Sequence, residues 1–188
     1  MVIRKSLHSI VLALILFSFM LTACGASASA PTSTPEATDT PDWFDVELVD
    51  VQTGETFTMN DYAGKVVLVE TMAIWCPNCI FQGAEVRSMH EMLGNPEDLI
   101  SVSLDVDVNE DAAALKEYTE EFGFEWHFAI SPRAISRDLG NLYTAQYLNP
   151  PLSPMLIIDR NGDVHHLEYG KKSAEMLVET IEPYLAQE

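Results

Sequence analysis

The stretch "VVLVETMAIWCPNC", residues 66–79, joins an apolar run to a tryptophan and two cysteines. A continuous apolar run that is rich in β-branched residues is typical of a central strand covered on both faces. Pro77 suits the first turn of a helix, because the N–H group that proline lacks would have no partner there anyway. The stretch therefore predicts a buried strand followed by a helix, with Cys76 near the helix N-terminus.

The spacing of Cys76 and Cys79 places them one helical turn apart and within reach of a disulfide. The free N–H groups at a helix N-terminus favour the thiolate form of the first cysteine. We therefore expect Cys76 to be the exposed, reactive thiol and Cys79 to be the buried one. A purely structural disulfide normally closes a longer loop, because its stabilising effect grows with loop length.

A metal site would need two more ligands besides the cysteines. His165 and His166 are adjacent, so on a strand they point to opposite faces, and His127 stands alone in the sequence. We therefore expect no metal and no bound organic cofactor.

Further strand and helix patterns alternate along residues 43–188. A hairpin is predicted at residues 43–59, around the turn signal "QTGE". Other strands are predicted at residues 98–107, 125–131, 154–159 and 164–170, the last two joined by the turn "RNGD". Helices are predicted at residues 77–93, 109–123, 134–148 with an interruption at Gly140, and 173–188. This order predicts an α/β sandwich around a mixed sheet.

The N-terminal residues have the pattern of a targeting signal. Arg4 and Lys5 precede an apolar run over residues 10–23 that is short for a membrane span and suits a signal peptide. The run ends in "LTAC", which is similar to a bacterial lipobox, in which the cysteine, here Cys24, becomes lipidated. The alternatives are an ordinary signal peptide with an incidental cysteine and an uncleaved anchor. We expect a signal peptide at 1–23, a flexible, proline-rich tether at 24–42 and one folded domain at 43–188.

The charge and the targeting signal together limit the partners. A formal net charge of −19 leaves no basic surface that could neutralise phosphates, so nucleic acid is excluded as a partner. The lipid on Cys24 would anchor the protein to the membrane, with the domain on the outer face of the cytoplasmic membrane or in the periplasm. A cysteine pair outside the cytosol can be oxidised and stay oxidised.

The "WCPNC" motif after "VVLVETMA", together with Ser153, Pro154 and the following "MLIID", resembles the thioredoxin superfamily. The lipoprotein signal, the leading hairpin and the helix after residues 98–107 are similar to the membrane-tethered TlpA/ResA-like group within it. The resemblance implies a thioredoxin-like three-layer sandwich, with a mixed β-sheet flanked by helices and an N-terminal β-hairpin extension. A monomer is expected.

The resemblance also implies roles for individual residues. Cys76 would attack a substrate disulfide, and Cys79 would resolve the mixed disulfide, so the pair would form a redox-active disulfide. Glu70 matches a buried acid beneath the dithiol, whose pKa should be raised and which would accept the proton of Cys79; the alternative is a side chain turned toward solvent. Pro154 would be a cis-proline against the disulfide. Substrate binding is assigned to Trp75, Pro77, Ser153 and Pro154.

The implied partners are protein thiols and disulfides. They include the apocytochrome thiols of cytochrome c maturation, with electrons supplied by a membrane thiol carrier. Two departures from the family, Ile80 after the motif and Ala84 in place of a proline, alter the surface near the dithiol. The residues Ile74, Trp75, Ile80 and Phe81 form an apolar rim that is explained by core packing or by docking of an extended partner.

Two other functions remain open at this point. A peroxiredoxin-like thiol peroxidase would carry a threonine and a proline where this chain has Ala73 and Val69. A redox-inert binding module would use the same fold without using its cysteines.

Overall fold

The computed structural model describes residues 40–187, and strands and helices alternate through this part of the chain. The strands are β1 Leu48–Val49, β2 Thr56–Phe57, β3 Val66–Met72, β4 Leu99–Asp105, β5 His127–Ile130, β6 Met155–Ile158 and β7 Val164–His166. The helices are α1 Pro77–Leu93, α2 Ala112–Phe122, α3 Arg133–Asp138 and α4 Ala174–Leu185. None of the helices in residues 40–187 combines the length and the apolar composition needed to cross a membrane.

The main sheet has the strand order β5-β4-β3-β6-β7. β3 pairs in parallel with β4, which pairs in parallel with β5, whereas β6 and β7 are antiparallel to their neighbours. Every residue of β3 is buried. The predicted mixed sheet, with the apolar stretch as its central strand, is confirmed.

The two faces of β3 pack against different layers, because side chains alternate along a strand. Val67 and Val69 face a core that also contains Trp43 and α3. Val66 and Leu68 pack against α1 and α4. Glu70 lies two residues after Leu68, so its side chain points to the same face of the sheet. That face is covered by the helix that carries the cysteines.

The N-terminal hairpin is present but shorter than predicted, since β1 and β2 have two residues each. Residues Asp42–Asp45 form a 3-10 turn instead of the start of a strand, because this turn buries both Trp43 and Phe44. The hairpin reaches the edge of the main sheet, where Val51 N–H donates to Phe128 O over 2.9 Å. It therefore extends the sandwich at the β5 edge.

Two helical predictions need correction. The helix expected from residue 109 begins at Ala112, because the Asp111 side chain caps it by accepting from Ala113 N and Ala114 N. The segment 134–148 is not one helix. α3 is followed by a wide π turn, Leu139–Tyr143, which contains Gly140, and by a 3-10 turn, Ala145–Leu148.

Candidate active site

Cys76 caps the N-terminus of α1, with Pro77 at the first helical position. Its own N–H donates to Ala73 O over 3.1 Å. Its sulfur accepts the N–H of Cys79 at a distance of 3.3 Å. A backbone donor and the positive end of the helix dipole both stabilise negative charge on this sulfur. The predicted position of Cys76 at the helix N-terminus is therefore confirmed.

The prediction that Cys76 is the exposed thiol is wrong. Cys76 has a relative exposure of 0% and Cys79 of 5%, and both are free thiols. Cys76 belongs to an apolar cluster with Met72 and with Leu115 and Tyr118 of α2. Packing of these residues around the N-terminus of α1 buries the first cysteine as deeply as the second.

Cys79 lies on the inner side of α1. Its thiol donates to Pro150 O over 3.8 Å. Burial raises the pKa of Cys79 above its ordinary value of 9.0, and the neighbouring Cys76 and Glu70 raise it further. Cys79 therefore carries a proton at neutral pH and needs an acceptor before it can act as a nucleophile.

Glu70 is buried beneath the dithiol, so the alternative of a solvent-facing side chain is wrong. Ser103 Oγ donates to Glu70 Oε1 over 2.6 Å, and Trp126 Nε1 donates to the same serine oxygen over 2.8 Å. Burial raises the pKa of Glu70 to about 7, although the Ser103 bond and the charge of Lys172 oppose the rise. The raised pKa predicted from the sequence is confirmed, and a carboxyl with this pKa can exchange a proton near neutral pH.

Lys172 is a buried cation that the sequence analysis missed. Its Nζ donates to Ser153 O over 2.6 Å and to Gly170 O over 2.7 Å. Burial lowers the pKa of Lys172 to about 8, while the charge of Glu70 opposes this shift. The only sequence signal was a pair of lysines, and the first of them, Lys171, is exposed. The positive charge of Lys172 therefore acts on Glu70, while its Nζ is bound to Ser153 O in the loop that precedes β6.

Gln82 of α1 holds Lys172 in place through a reciprocal pair of bonds. Gln82 Nε2 donates to Lys172 O over 3.1 Å, and Lys172 N–H donates to Gln82 Oε1 over 2.9 Å. Both side chains are buried. The lysine is thus fixed against the same helix that carries the dithiol.

The loop before β6 approaches the dithiol, but its geometry differs from the prediction for Pro154. No peptide bond in residues 40–187 is cis. Ser153 instead turns the chain in the left-handed region, with φ 46° and ψ 58°, which allows a trans bond to Pro154. Both residues are buried, and Pro154 O accepts from Thr71 N over 3.2 Å. The cis-proline prediction is therefore wrong.

A 3-10 turn, Pro150–Leu152, is the part of this loop that contacts α1. Asn78 Nδ2 donates to Pro151 O over 2.9 Å. Together with the contact from Cys79 to Pro150, this bond places the turn against the second half of the "CPNC" motif. The motif's asparagine therefore fastens the turn to the dithiol helix.

The apolar rim is partly open to solvent. Trp75 is 56% exposed and Phe81 is 60% exposed. Pro77 is also exposed, whereas Ile74 and Ile80 are half-buried and pack against the cluster around the cysteines. The structure thus brings Trp75 and Pro77 to the surface beside the dithiol, whereas Ser153 and Pro154 are buried.

The histidines have partners other than metal. His127 lies between Asp50 and Tyr62, at 2.7 and 2.9 Å. His165 contacts Asp159 at 2.8 Å, while His166 contacts the Tyr147 hydroxyl. The two adjacent rings therefore have different partners, on opposite sides of the strand. Within residues 40–187 no group of three or more His, Cys, Asp or Glu side chains could hold a metal ion. Cys24, the predicted signal peptide and most of the predicted tether lie outside the described residues.

The family follows from comparison of the chain with family models. The Redoxin model matches residues 26–185. The chain belongs to the Redoxin family. This membership confirms the predicted thioredoxin superfamily and the predicted class of enzyme, an oxidoreductase. Comparison with curated proteins finds no match.

Solved structures with similar folds include three bacterial proteins. A thiol:disulfide interchange protein from Chlorobium tepidum TLS has 17% identity and a TM-score of 0.61, with 75% of this chain and 93% of that chain covered. A thiol-disulfide isomerase from Corynebacterium glutamicum has 20% identity and a TM-score of 0.57, with coverages of 80% and 99%. A secreted disulfide oxidoreductase from Mycobacterium tuberculosis has 13% identity and a TM-score of 0.57, with coverages of 74% and 96%. These similarities confirm the thioredoxin-like fold.

Proposed function

We propose that this protein exchanges disulfides with protein partners through Cys76 and Cys79. One arrangement carries the proposal: the sulfur of Cys76 lies at a helix N-terminus, and a buried carboxyl with a pKa of about 7 lies beside protonated Cys79. A group with a pKa near the ambient pH can both take up and return a proton. The site therefore supplies a nucleophile, a resolving thiol and a base.

In the first step, the thiolate of Cys76 attacks one sulfur of a substrate disulfide. The substrate S–S bond breaks, and a new S–S bond joins Cys76 to the substrate. The other substrate sulfur leaves as a thiolate and takes a proton from water. The Cys79 N–H group, which lies 3.3 Å from the sulfur of Cys76, stabilises the attacking thiolate.

In the second step, Glu70 accepts the proton of Cys79, directly or through water. The resulting thiolate attacks the sulfur of Cys76, so the bond to the substrate breaks and a Cys76–Cys79 disulfide forms. The second substrate sulfur leaves as a thiolate and is protonated. Two electrons have passed from the protein to the substrate, and an external dithiol must reduce the new disulfide before the next cycle.

The burial of Cys76 adds a requirement to the first step. Because its relative exposure is 0%, a substrate sulfur reaches it only after the surrounding cluster has moved. Exposed Trp75 and Pro77 flank the cysteine and are the first groups that a partner meets. We propose that contact of an extended partner with this apolar rim opens the site.

We place the protein in the membrane-tethered TlpA/ResA-like group, with the domain on the outer face of the cytoplasmic membrane or in the periplasm. The support is the sequence pattern around Cys24 and the tether that follows it. We propose a membrane thiol carrier as the electron source and, among the substrates, apocytochrome disulfides, which the protein would reduce to the thiols used in cytochrome c maturation. Mass spectrometry of the mature protein should show lipid on Cys24 and no residues 1–23; an unmodified Cys24 or an intact Met1 would contradict the anchor.

A single-turnover reaction with insulin tests the proposed activity. The reduced protein should break one insulin disulfide for each Cys76–Cys79 disulfide that forms, and Cys76→Ser should abolish the reaction. Consumption of hydrogen peroxide with insulin left intact would instead indicate the peroxidase. A Cys76→Ser variant with full biological activity would indicate the redox-inert binding module.

A further inference from the structure

The connection between β4 and α2 holds the loop that leads into the dithiol. This acidic connection, residues 105–110, starts at the last residue of the buried strand β4 and carries three acidic side chains. Its bonds to the loop are Val106 N–H to Met72 O (3.0 Å), Ile74 N–H to Glu110 Oε2 (2.8 Å) and Trp75 Nε1–H to Asp107 Oδ2 (2.7 Å). Two side-chain carboxylates thus fix the two residues that immediately precede Cys76.

The buried end of this connection has an unusual polar group. Asp105 has a relative exposure of 0%, and its Oδ1 accepts the Asp107 N–H over 2.9 Å. Its Oδ2 is also buried, and no donor among residues 40–187 forms a hydrogen bond to it. A buried carboxylate oxygen without a donor is unfavourable, because it has lost its hydrogen bonds to water and has gained none in the protein.

The side chain of Asp105 interacts with the Glu110 carboxyl. Burial raises the pKa of Asp105 to about 8, and hydrogen bonding and charge from Glu110 add to the rise. A buried carboxyl and the half-buried carboxyl beside it do not both ionise readily, because their charges repel in a medium of low dielectric. One proton between them would give Asp105 its missing hydrogen bond.

We propose that Asp105 and Glu110 share one proton, and that this protonated pair positions the loop of residues 74–76 and keeps Cys76 covered. Glu110 uses one oxygen for the pair and the other for the Ile74 N–H. The hydrogen bond between Glu110 and Ile74 therefore depends on the shared proton. Asp105 and Glu110 are positioning residues, and their relevance to catalysis rests on the proposed function of Cys76.

The direction of the pH effect follows from the charges. As the pH rises and the pair loses its proton, two carboxylates face each other and Glu110 is driven away from Ile74. The other titratable groups that face Asp105 are Asp107 on the same connection and Tyr118 on α2, and neither supplies a positive charge. The loop should then loosen, and Cys76 should become accessible.

Two substitutions of Glu110 distinguish the effect of the shared proton from the effect of the hydrogen bond to the Ile74 N–H. Glu110→Gln keeps an oxygen for the Ile74 N–H and provides an N–H for Asp105, so it needs no shared proton. Glu110→Ala removes both contacts. Glu120→Gln, at an exposed position of α2, removes the same charge and is the control.

The first measurement is the number of protons taken up on folding, from the pH dependence of unfolding. The wild type and Glu120→Gln should take up about one proton more than Glu110→Gln near neutral pH. The second measurement is alkylation of Cys76 in a Cys79→Ser background, corrected for its thiolate fraction. The wild type should show an added rise above about pH 8. Glu110→Gln should lack that rise, and Glu110→Ala should label faster than the wild type already at pH 6.

Equal proton uptake by the wild type and Glu110→Gln would overturn the shared proton. Unchanged alkylation in Glu110→Ala would overturn the positioning role; if that variant does not fold, the alkylation profile of Glu110→Gln decides, and an added rise like that of the wild type overturns it. Neither readout uses a disulfide substrate. Failure of insulin reduction in the wild type would therefore count against the proposed function alone.

Discussion

Replacing Glu70 with glutamine removes the proposed proton acceptor while it keeps the size of the side chain. An amide can still accept the hydrogen bond that Ser103 Oγ donates over 2.6 Å. In the wild type, burial raises the pKa of Glu70 from 4.5 to about 7. The variant has no ionisable group at this position. The substitution should therefore change both the stability and the chemistry of the site as functions of pH.

The stability effect can be worked out from the pKa. A raised pKa means that the folded protein binds the Glu70 proton more tightly than the unfolded chain does. The wild type then carries no penalty below pH 4.5, and a penalty that grows up to about pH 7 and stays constant above it. At 1.36 kcal/mol per pKa unit, the difference amounts to about 3 kcal/mol. Glu70→Gln should gain about this much free energy of unfolding, relative to the wild type, between pH 4 and pH 8.

The kinetic effect should fall on one step only. The attack of Cys76 should be nearly unchanged, because its thiolate is stabilised by the helix end and by the Cys79 N–H. Release of the mixed disulfide should slow by about 10²-fold, the low end for the loss of a general base, because water can still relay the proton. The wild-type release rate should rise with pH up to about 7, the pKa of Glu70.

Chemical denaturation from pH 4 to pH 8 and rapid-mixing measurement of mixed-disulfide release test both effects. Glu91→Gln, at an exposed position of α1, is the matched control and should behave like the wild type. Identical stability profiles and identical release rates in Glu70→Gln and the wild type would refute the reasoning.

Two further predictions concern the neighbours of Glu70. Cys79→Ser should trap a mixed disulfide on Cys76, whereas Cys76→Ser should trap none; mass spectrometry of the adducts checks this, and trapping by Cys76→Ser would reverse the two roles. Lys172→Met should raise the pKa of Glu70 and shift the pH profile of mixed-disulfide release to higher pH, while Lys171→Met, at the exposed neighbouring position, should leave the profile in place; equal profiles for the two variants would show that Lys172 has only a structural role.

Features that depend on short spacings were predictable from the sequence. The apolar run of β3, the proline at the first position of α1 and the turn between β6 and β7 each act within a few residues. The position of Glu70 was implied by the resemblance to the thioredoxin superfamily, and the alternation of side chains along β3 explains it in the structure. The fold class and the core of the site were therefore accessible.

Features that depend on tertiary packing were not predictable. The helix end suggested an exposed Cys76, but its burial results from α2, whose Leu115 and Tyr118 are distant in sequence. Lys172 becomes a site residue only because α1 and the loop before β6 enclose it. Glu110 was assigned to the first turn of a helix, whereas Asp111 caps that helix and frees Glu110 to bind Ile74.

Backbone conformation was the other source of error. The resemblance predicted a cis bond at Pro154, but the left-handed conformation of Ser153 turns the chain with a trans bond. A left-handed serine is uncommon and has no signature in the residue pattern around it. A single residue in this region was enough to change the expected geometry of the loop beside the dithiol.

Redox titration of the purified protein against glutathione tests the central claim most directly. The claim predicts that the two thiols disappear together in one two-electron transition and give a single intramolecular Cys76–Cys79 disulfide, identified by mass spectrometry. Cysteines that stay reduced in oxidised glutathione, or that form only separate mixed disulfides with it, would contradict the claim.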